Sequence, residues 1–496
     1  MLRDIKVIWL HKSILSILLL ASFIRLIVYF FILPSSYSPL GPDESTYAAL
    51  ALYVSKGLPV QDFPSYGAGL YNSAKTVALS SALLIKLGLQ ELSAVRVMAS
   101  IYGLASSLLI VLCYFSYLQL RNYPIQDRDF VFNRKNLILL SLFTFFPSNF
   151  LWSTIGLRES ASQFWLITTF YFILRLSNLE INTSPHASLI LVLGLALSLS
   201  LAFGSRPETA LVFGLVFLVF CLTLAIVYRK LLPLIAISIG LLAGLTFTTT
   251  PEVKKEKSFR AILINVNEIS SSPTPKPVEG EESPTPKPVE ESKYNISAAQ
   301  LCTEEGDSVT FKRNRYKCTE VADYKIVDRD TFATVEGYVE ATQSFEYKRN
   351  QNALNAQSAL PVSNCQNLSR EIAVLVKCNL TELPFRLLAF LFRPLLFIEQ
   401  GSTILTFAAI ENLAWIVLVP LSIWVSMHNK ANNLNRFINW SLISYVLIFA
   451  SGAALYEGNL GTAFRHKSSI LWPIIFLLMI APKILPKSRR ETTSVS

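Results

Sequence analysis

The sequence predicts an all-α polytopic membrane protein with about ten transmembrane helices, interfacial helices and a small disulfide-stapled extracytoplasmic insert. Of its 496 residues, 52% are hydrophobic and 16% charged, and the mean hydropathy is +0.44. Apolar runs of roughly 17–25 residues, the length that crosses a bilayer, recur along the chain. The net charge of +10 comes largely from Lys and Arg beside these runs. The positive-inside rule explains this excess, so we expect a lipid bilayer and no nucleic acid as partner.

Basic connections orient the predicted spans. Residues 121–135 and 229–230 fall on one side only if two further apolar stretches, 74–90 and 385–400, lie in the outer interface or re-enter. Twelve spans, the alternative, would leave the 121–135 cluster outside. The first apolar segment lacks a small-residue cleavage site and predicts a retained helix. The ten predicted spans are, approximately, 13–33, 95–118, 136–152, 160–176, 187–203, 208–228, 231–249, 404–426, 437–455 and 468–483.

The predicted location is the plasma (inner) membrane, with both termini cytoplasmic and the loop 250–383 extracytoplasmic. Four segments follow: a transmembrane module with the first outer loop (1–250), a Pro-rich repeat spacer (251–293), a Cys-containing loop subdomain (294–383) and a second transmembrane module (384–496). In the spacer, Pro at every second position favours an extended conformation.

Four cysteines share the large loop. Their even number in a predicted oxidising compartment indicates two disulfides, and local pairing 302–318 and 365–378 is the simplest of three connectivities. Zinc is less favoured, because no C-x-x-C or nearby His is present. The cysteines are Cys302, Cys318, Cys365 and Cys378.

Charged residues collect at the predicted outer ends of the apolar segments, opposite the basic loops. Such a ring of acids and bases is what a site for a phosphate-linked substrate needs. The ring has four parts: Asp43-Glu44, Arg158-Glu159, Arg206 with Glu208, and Glu457 with Arg465-His466-Lys467.

Each part also has a plain structural explanation. Asp43-Glu44 could bind a cation or act as a general base, or simply meet the dipole of a following helix. Arg158-Glu159 could face a cavity or form an interfacial salt bridge. Arg206 could hold a phosphate bidentately, or mark a plain helix connection before Pro207.

The stretch 457–467 carries the strongest signal. Two glycines would let backbone amides approach a ligand, and Arg465, His466 and Lys467 precede a predicted span on the face where positive charge is disfavoured. This pattern favours a phosphate or pyrophosphate seat over a basic cap that contacts lipid headgroups.

The order of these features resembles the GT-C class of polytopic glycosyltransferases, including protein mannosyltransferase-like and aminoarabinose-transferase-like enzymes. The shared features are a long first outer loop that opens with an acidic pair, an interfacial helix, a second charged outer turn and a late Gly-Thr-x-x-Arg-His-Lys. The resemblance covers roughly 1–250 and 384–485 but not the large loop.

The resemblance implies transfer of a sugar from a polyprenyl-phosphate-linked donor to a glycan, lipid or protein acceptor. It makes Asp43 the catalytic base or metal ligand, Glu44 its partner and Glu159 the second outer acid. A divalent cation, Mg²⁺ or Mn²⁺, would then lie at Asp43 and Glu159. This chain departs from the pattern by offering Arg-Glu in its second outer turn instead of a clear Asp. The residues expected to bind the donor phosphate are Arg158, Arg206, Arg465, His466 and Lys467.

Other functions stay open at this point. A polysaccharide polymerase or ligase that uses lipid-linked glycans needs the same phosphate chemistry. A transporter or flippase would place ionisable residues near the membrane midplane and often shows two repeated halves. A structural protein that presents the large loop would leave the outer charges without a role. No nucleotide-sugar fingerprint or Gly-Lys-Ser/Thr phosphate loop is visible, which is consistent with a lipid-linked donor.

Overall fold

The structure is a computed structural model. For the strands, for residues 372–379 and for positions 31, 32, 42, 67–70, 403–405, 407, 456, 460 and 461 it describes the backbone alone. It describes residues 12–32, 42–58, 60, 67–121, 133–179, 184–248, 308–311, 314–321, 324–330, 372–395, 403–428, 433–456 and 460–481.

The N-terminal half is a series of helices. The first ends in a π-helical stretch, Val28–Ile32. The helices are α1 Lys12–Ile27, α2 Pro42–Ser55, α3 Gly67–Lys86, α4 Glu91–Leu120, α5 Arg134–Phe145, α6 Pro147–Thr154, α7 Arg158–Ser177, α8 Pro185–Phe203, α9 Pro207–Tyr228 and α10 Leu232–Thr248.

Four further helices are described in the C-terminal part: α11 Ile372–Phe392, α12 Thr403–His428, α13 Asn433–Tyr456 and α14 Leu460–Ile480. By length and composition, seven of the described helices can cross a membrane, or eight if the bent pair α5–α6 is one span. The chain is therefore a multi-pass membrane protein. The count of ten spans stays a prediction, since α7 and the 17-residue α10 fall outside that set.

Helix α7 is not among the helices apolar enough to cross a membrane, because it lies between other helices of the protein. It packs against α4, α8 and α14, and most of its side chains are buried. A helix enclosed by other helices need not be apolar on every face, so Ser162, Gln163 and Thr169 are tolerated there. Gln163 Nε2 donates to the carbonyl of Ser468 at 3.2 Å, which ties α7 to α14.

The predicted span 136–152 is broken. Helices α5 and α6 meet at 45° at Pro147, which supplies no N–H and ends the hydrogen-bond ladder of α5. Glu411 of α12 stabilises the break, since its Oε2 accepts from the backbone N–H of Ser148 at 2.5 Å and its Oε1 from Trp415 Nε1 at 2.9 Å. Arg25 of α1 donates to Ser153 Oγ at 3.0 Å, and so fastens α1 to α6.

The two ends of α7 define the two ends of the helical unit, called here the Glu159 end and the Ser177 end. About 30 Å separates them, at 1.5 Å per residue. At the Ser177 end, Lys230 donates to the carbonyl of Ser177, and Lys135 donates to the carbonyls of Leu478, Met479 and Ala481 at 3.1, 3.3 and 2.8 Å. Lys135 and Lys230, which belong to two of the connections predicted to be cytoplasmic, therefore lie at this end.

At the Glu159 end, α3 lies across the ends of two helices. Thr76 binds the C-terminus of α8, through its N–H to the carbonyl of Gly204 at 2.9 Å and its Oγ1 to that of Leu201 at 2.7 Å. Lys75 Nζ donates to the carbonyl of Phe247 in α10 at 2.8 Å. The stretch 74–90, predicted to lie in the outer interface or to re-enter, falls largely within α3, which begins earlier, at Gly67; its position in the membrane stays a prediction.

Beneath α2 and α3 lies a hydrophobic cluster separate from the main core. Its side chains come from α2, α3, α4, α6, α7, α12 and α14 and from the turn before α7, and they support the polypeptide that carries Asp43. Members include Tyr47, Leu50, Val77, Val95, Trp152 and Phe464.

Two predicted bounds are wrong. Helix α11 spans Ile372–Phe392, whereas the sequence placed an interfacial helix at 385–400. Helix α14 begins at Leu460, not near 468, so Arg465, His466 and Lys467 lie within the helix. These side chains have partners, described below, which lowers the cost of carrying charge into a helix end.

The chain divides into two compact units, 1–251 with 356–361 and 383–496, and 252–355 with 362–382. The described elements of the first are helical. The second contains a three-stranded antiparallel sheet, β1 Ser308–Phe311, β2 Asn314–Val321 and β3 Tyr324–Asp330, in the order β1-β2-β3. The predicted disulfides lie outside the described side chains, and the four predicted segments also stay predictions.

We expect Glu411→Ala to destabilise the protein. The change leaves the Ser148 N–H and the Trp415 Nε1–H buried without their acceptor, at about 1–3 kcal/mol for each donor. Glu411→Gln retains one acceptor oxygen and should lose about half as much. The melting temperature of the purified protein in detergent measures both. An alanine variant that melts with the wild type would show that the break is held by other contacts.

Candidate functional site

Arg465 joins two carboxylates that are far apart in the sequence. Its Nε donates to Glu159 Oε1 at 3.1 Å, and its Nη1 donates to Asp43 Oδ2. The three residues differ in exposure: the side chain of Asp43 is 46% exposed, that of Arg465 17% and that of Glu159 1%. The cluster therefore runs from the surface at Asp43 into the buried interior at Glu159.

A second guanidinium approaches the same oxygen of Glu159. Arg206 Nη2 lies 3.2 Å from Glu159 Oε1 and also contacts His466 Nε2, while Arg206 Nε lies 3.7 Å from Glu208 Oε1. Glu159 Oε2 and Arg206 Nη1 are buried and form no hydrogen bond with the described residues. One buried carboxylate thus holds two arginines, from the turn before α9 and from α14.

The local sequence explains why the acids lie at this end. Asp43 and Glu159 each occupy the first turn of a helix, where the N-terminal dipole favours negative charge. Gly156 makes the turn before α7 at φ +76°, and a Cβ there would meet Val95 Cγ1 at 2.9 Å. Only glycine fits that turn without strain, and the turn sets the start of α7 against α4.

Burial and neighbouring charges together set the protonation states of the cluster. Glu159 lies just before the predicted span 160–176. Burial alone would raise the pKa of its carboxyl, but the positive charges of Arg465, Arg206 and Arg158 lower that pKa to about 2. Burial lowers the pKa of Arg206, against the opposing effect of Glu159. Burial raises the pKa of Tyr47, which keeps its phenol neutral. Glu159 is therefore a permanent counter-ion near neutral pH and a poor proton acceptor.

His466 faces Arg206 through its Nε2. A guanidinium can only donate, so this nitrogen acts as the acceptor and the imidazole is neutral in this arrangement, with the proton on Nδ1. The sequence predicts His466 as a donor-phosphate ligand, and this role stays a prediction. In the structure its Nε2 contacts Arg206 Nη2.

Three predicted site residues bond elsewhere. Arg96 Nε donates to Glu44 Oε1 at 2.5 Å, and both side chains are buried. Arg158 Nη1 donates to the carbonyl of Ser73 at 2.9 Å. Lys467 Nζ donates to Asn412 Oδ1 at 2.7 Å and to the carbonyl of Arg393 at 2.8 Å.

The structure therefore brings together Asp43, Glu159, Arg206, Arg465 and His466. Sequence reasoning missed two residues. Tyr47 is buried within the electrostatic reach of Asp43, Glu159 and Arg465, and its position four residues after Asp43 on one helix face was the available signal. Arg96 lies inside a predicted span, where a charged residue itself indicates a buried partner.

The family resemblance implies a divalent cation bound by Asp43 and Glu159. Asp43 and Glu159 bind one arginine between them, and within the described residues no group of three or more His, Cys, Asp and Glu side chains lies together. The described side chains therefore do not fit such an ion, and the proposed chemistry uses none. The cation stays a prediction from the sequence.

Comparison with known proteins gives structural neighbours alone. No protein-family model and no curated sequence matches the chain. Solved structures that match include ArnT from Cupriavidus metallidurans in the apo state, at 12% identity and a TM-score of 0.34, and the same protein bound to undecaprenyl phosphate, at 12% and 0.32. Each match covers 93% of this chain and 76% of the other. A likeness at this level does not decide an activity.

We expect Glu159→Gln to be far more destabilising than Glu208→Gln at neutral pH. The first leaves two largely buried guanidiniums without their shared counter-ion, and breaking a buried ion pair costs about 3–5 kcal/mol. Glu208 is 56% exposed, and such pairs contribute roughly 1 kcal/mol or less. Melting temperatures of the two variants, compared with the wild type, measure the difference.

The stabilisation that Glu159 contributes should decrease at acid pH. Because folding lowers the Glu159 pKa from 4.5 to about 2, its stabilisation is fully present above pH 4.5 and is lost as the pH falls toward 2. Equal melting temperatures for the two variants at neutral pH would contradict the role of Glu159 as the shared counter-ion.

Proposed function

We propose that this protein is an integral-membrane glycosyltransferase of the plasma (inner) membrane. It would transfer a sugar from a polyprenyl-phosphate-linked donor to an acceptor at the extracytoplasmic face, the face of the Glu159 end. The observation that carries the proposal is the convergence of an exposed carboxylate, Asp43, with an accessible arginine, Arg465, at one end of a helical membrane unit.

The chemistry needs a base and a cation close together. The Asp43 carboxylate would take the proton of an acceptor hydroxyl, and the acceptor oxygen would form a bond to the anomeric carbon of the donor sugar. The bond from that carbon to the phosphate oxygen would break, and its electron pair would leave with the polyprenyl phosphate. Arg465 would stabilise the charge on the departing phosphate.

The surrounding residues support these two groups. Glu159 orients Arg465 from its buried side, and Arg206 balances Glu159. Glu44, the residue after Asp43, forms a buried ion pair with Arg96. Glu44 would therefore position α2 and have no part in the proton transfer. A donor with a long apolar tail suits a site at the end of membrane helices, because its carrier stays in the bilayer.

A polymerase or ligase that transfers longer lipid-linked glycans is a second candidate, since it needs the same base and the same phosphate-binding arginine. A transporter or flippase is less favoured. Its ionisable residues would lie near the middle of the membrane, whereas Asp43, Glu159, Arg206 and Arg465 occupy helix ends or the turns between them.

We expect Asp43→Asn to reduce turnover by about 10²–10⁴-fold, the usual contribution of a general base. Arg465→Ala should reduce it by about 10²–10³-fold, through loss of charge stabilisation. The assay is sugar transfer by purified protein supplied with mixed polyprenyl-phosphate sugars and cell-envelope acceptors. Glu91→Gln, which removes an exposed acid near the start of α4, is the matched control and should retain wild-type turnover.

Two results would separate the candidates. Transfer of single sugars supports the proposal, and transfer of longer glycans alone supports the polymerase or ligase. Wild-type turnover in both Asp43→Asn and Arg465→Ala, with folding intact, would remove these residues from the mechanism.

A further inference from the structure

The ion pairs of the cluster leave no excess positive charge for an incoming phosphate. Among the described residues, Arg206 and Arg465 form ion pairs with Asp43, Glu159 and Glu208. Arg158, whose guanidinium donates to the carbonyl of Ser73, lies within electrostatic reach of Glu159 and Glu208, so three positive charges face three negative ones. A phosphate that bound here would add negative charge beside three carboxylates. One of these carboxylates must therefore move away from its arginine if the phosphate is to be bound well.

Exposure decides which carboxylate can move. Glu159 is 1% exposed, holds two arginines and cannot leave without stranding both. Glu208 is exposed, but Arg206, its partner at 3.7 Å, is only 1% exposed and out of reach of a ligand from the surface. Asp43 is 46% exposed and its partner Arg465 is 17% exposed, so this pair alone combines a movable acid with an accessible arginine.

The same contact hinders proton transfer. The Asp43 oxygen that accepts the hydrogen bond from Arg465 has a lone pair occupied by that contact, so it is not open to the hydroxyl of an acceptor. Asp43 lies in the first turn of α2, whose neighbouring Glu44 is fixed to Arg96, so its side chain can turn away while the helix stays in place.

We infer that Asp43 and the donor phosphate compete for Arg465, so that binding of the phosphate frees the Asp43 carboxylate to accept the proton of the acceptor. This inference rests on the proposed function and adds an order to it: the base becomes effective once the donor is bound. In the structure, the Asp43 carboxylate occupies the place on Arg465 that the phosphate takes.

Binding of a sugar-free lipid phosphate tests the competition separately from catalysis. The full-length protein in nanodiscs of neutral lipid is titrated with farnesyl phosphate, and with farnesol as the uncharged counterpart. Asp43→Asn should bind farnesyl phosphate about five-fold more tightly than the wild type, the value of an exposed ion pair at the upper end of its range. Asp43→Ser also removes the charge and should show the same gain in affinity. Agreement between the two variants would show that the gain does not come from misfolding of one of them.

Matched variants distinguish competition from a general effect of charge. Glu208→Gln and Glu91→Gln each remove one acid near the same end, and both should stay within about two-fold of the wild type. Arg465→Ala should bind farnesyl phosphate no better than farnesol. A similar gain in Glu208→Gln or Glu91→Gln would overturn the inference, because any loss of negative charge would then explain the result.

The outcomes also separate the inference from the proposed function. If the wild type prefers farnesyl phosphate to farnesol but both Asp43 variants bind it equally or more weakly, the competition is wrong and the donor class survives. If the wild type shows no preference for the phosphate, both fail. If the Asp43 variants gain affinity while the wild type transfers no sugar, the competition stands and the transferase function fails.

Discussion

The Glu159 end of this protein depends on one buried carboxylate. A single oxygen of Glu159 lies within 3.2 Å of Arg206 and 3.1 Å of Arg465. Charges buried in a membrane protein are costly unless paired, so these three side chains must fold together or not at all. They belong to α7, to the turn before α9 and to α14, and their pairing fixes the geometry in which Asp43 can reach Arg465.

A second constraint is the need to satisfy helix ends where no water is available. The last carbonyls of a helix lack partners within the helix, and in a membrane they must find them in other segments. Lysine side chains donate hydrogen bonds to these carbonyls at both ends of the helical unit. Lys135 donates to the end of α14 and Lys230 to the end of α7 at the Ser177 end, and Lys75 donates to the end of α10 at the Glu159 end. Such contacts also place positive charge at the negative end of the helix dipole. At the Glu159 end they seat α3 across α8 and α10, beside α2, which carries Asp43.

Neighbouring residues take different roles because successive positions on a helix point about 100° apart. Glu44 is buried against Arg96, whereas the half-exposed Asp43 reaches Arg465. Arg465, His466 and Lys467 contact Glu159, Arg206 and Asn412 respectively. One short charged stretch thus supplies an arginine for the site, a neutral imidazole behind it and a buried tie to α12.

The sequence by itself determined the helical membrane class and correctly placed three of the five convergent residues, Asp43, Glu159 and Arg206, in turns or first helical turns, since the length of apolar runs and the position of charges are local properties. It also favoured interfacial positions for the stretch now seen as α3. The tertiary structure decided the partners. Arg465 meets Asp43 from 422 positions away and Glu159 from 306, and no local pattern encodes such pairs. It also decided that Lys467 leaves the cluster and that α7 tolerates polar residues, because both depend on which neighbouring helix each face meets.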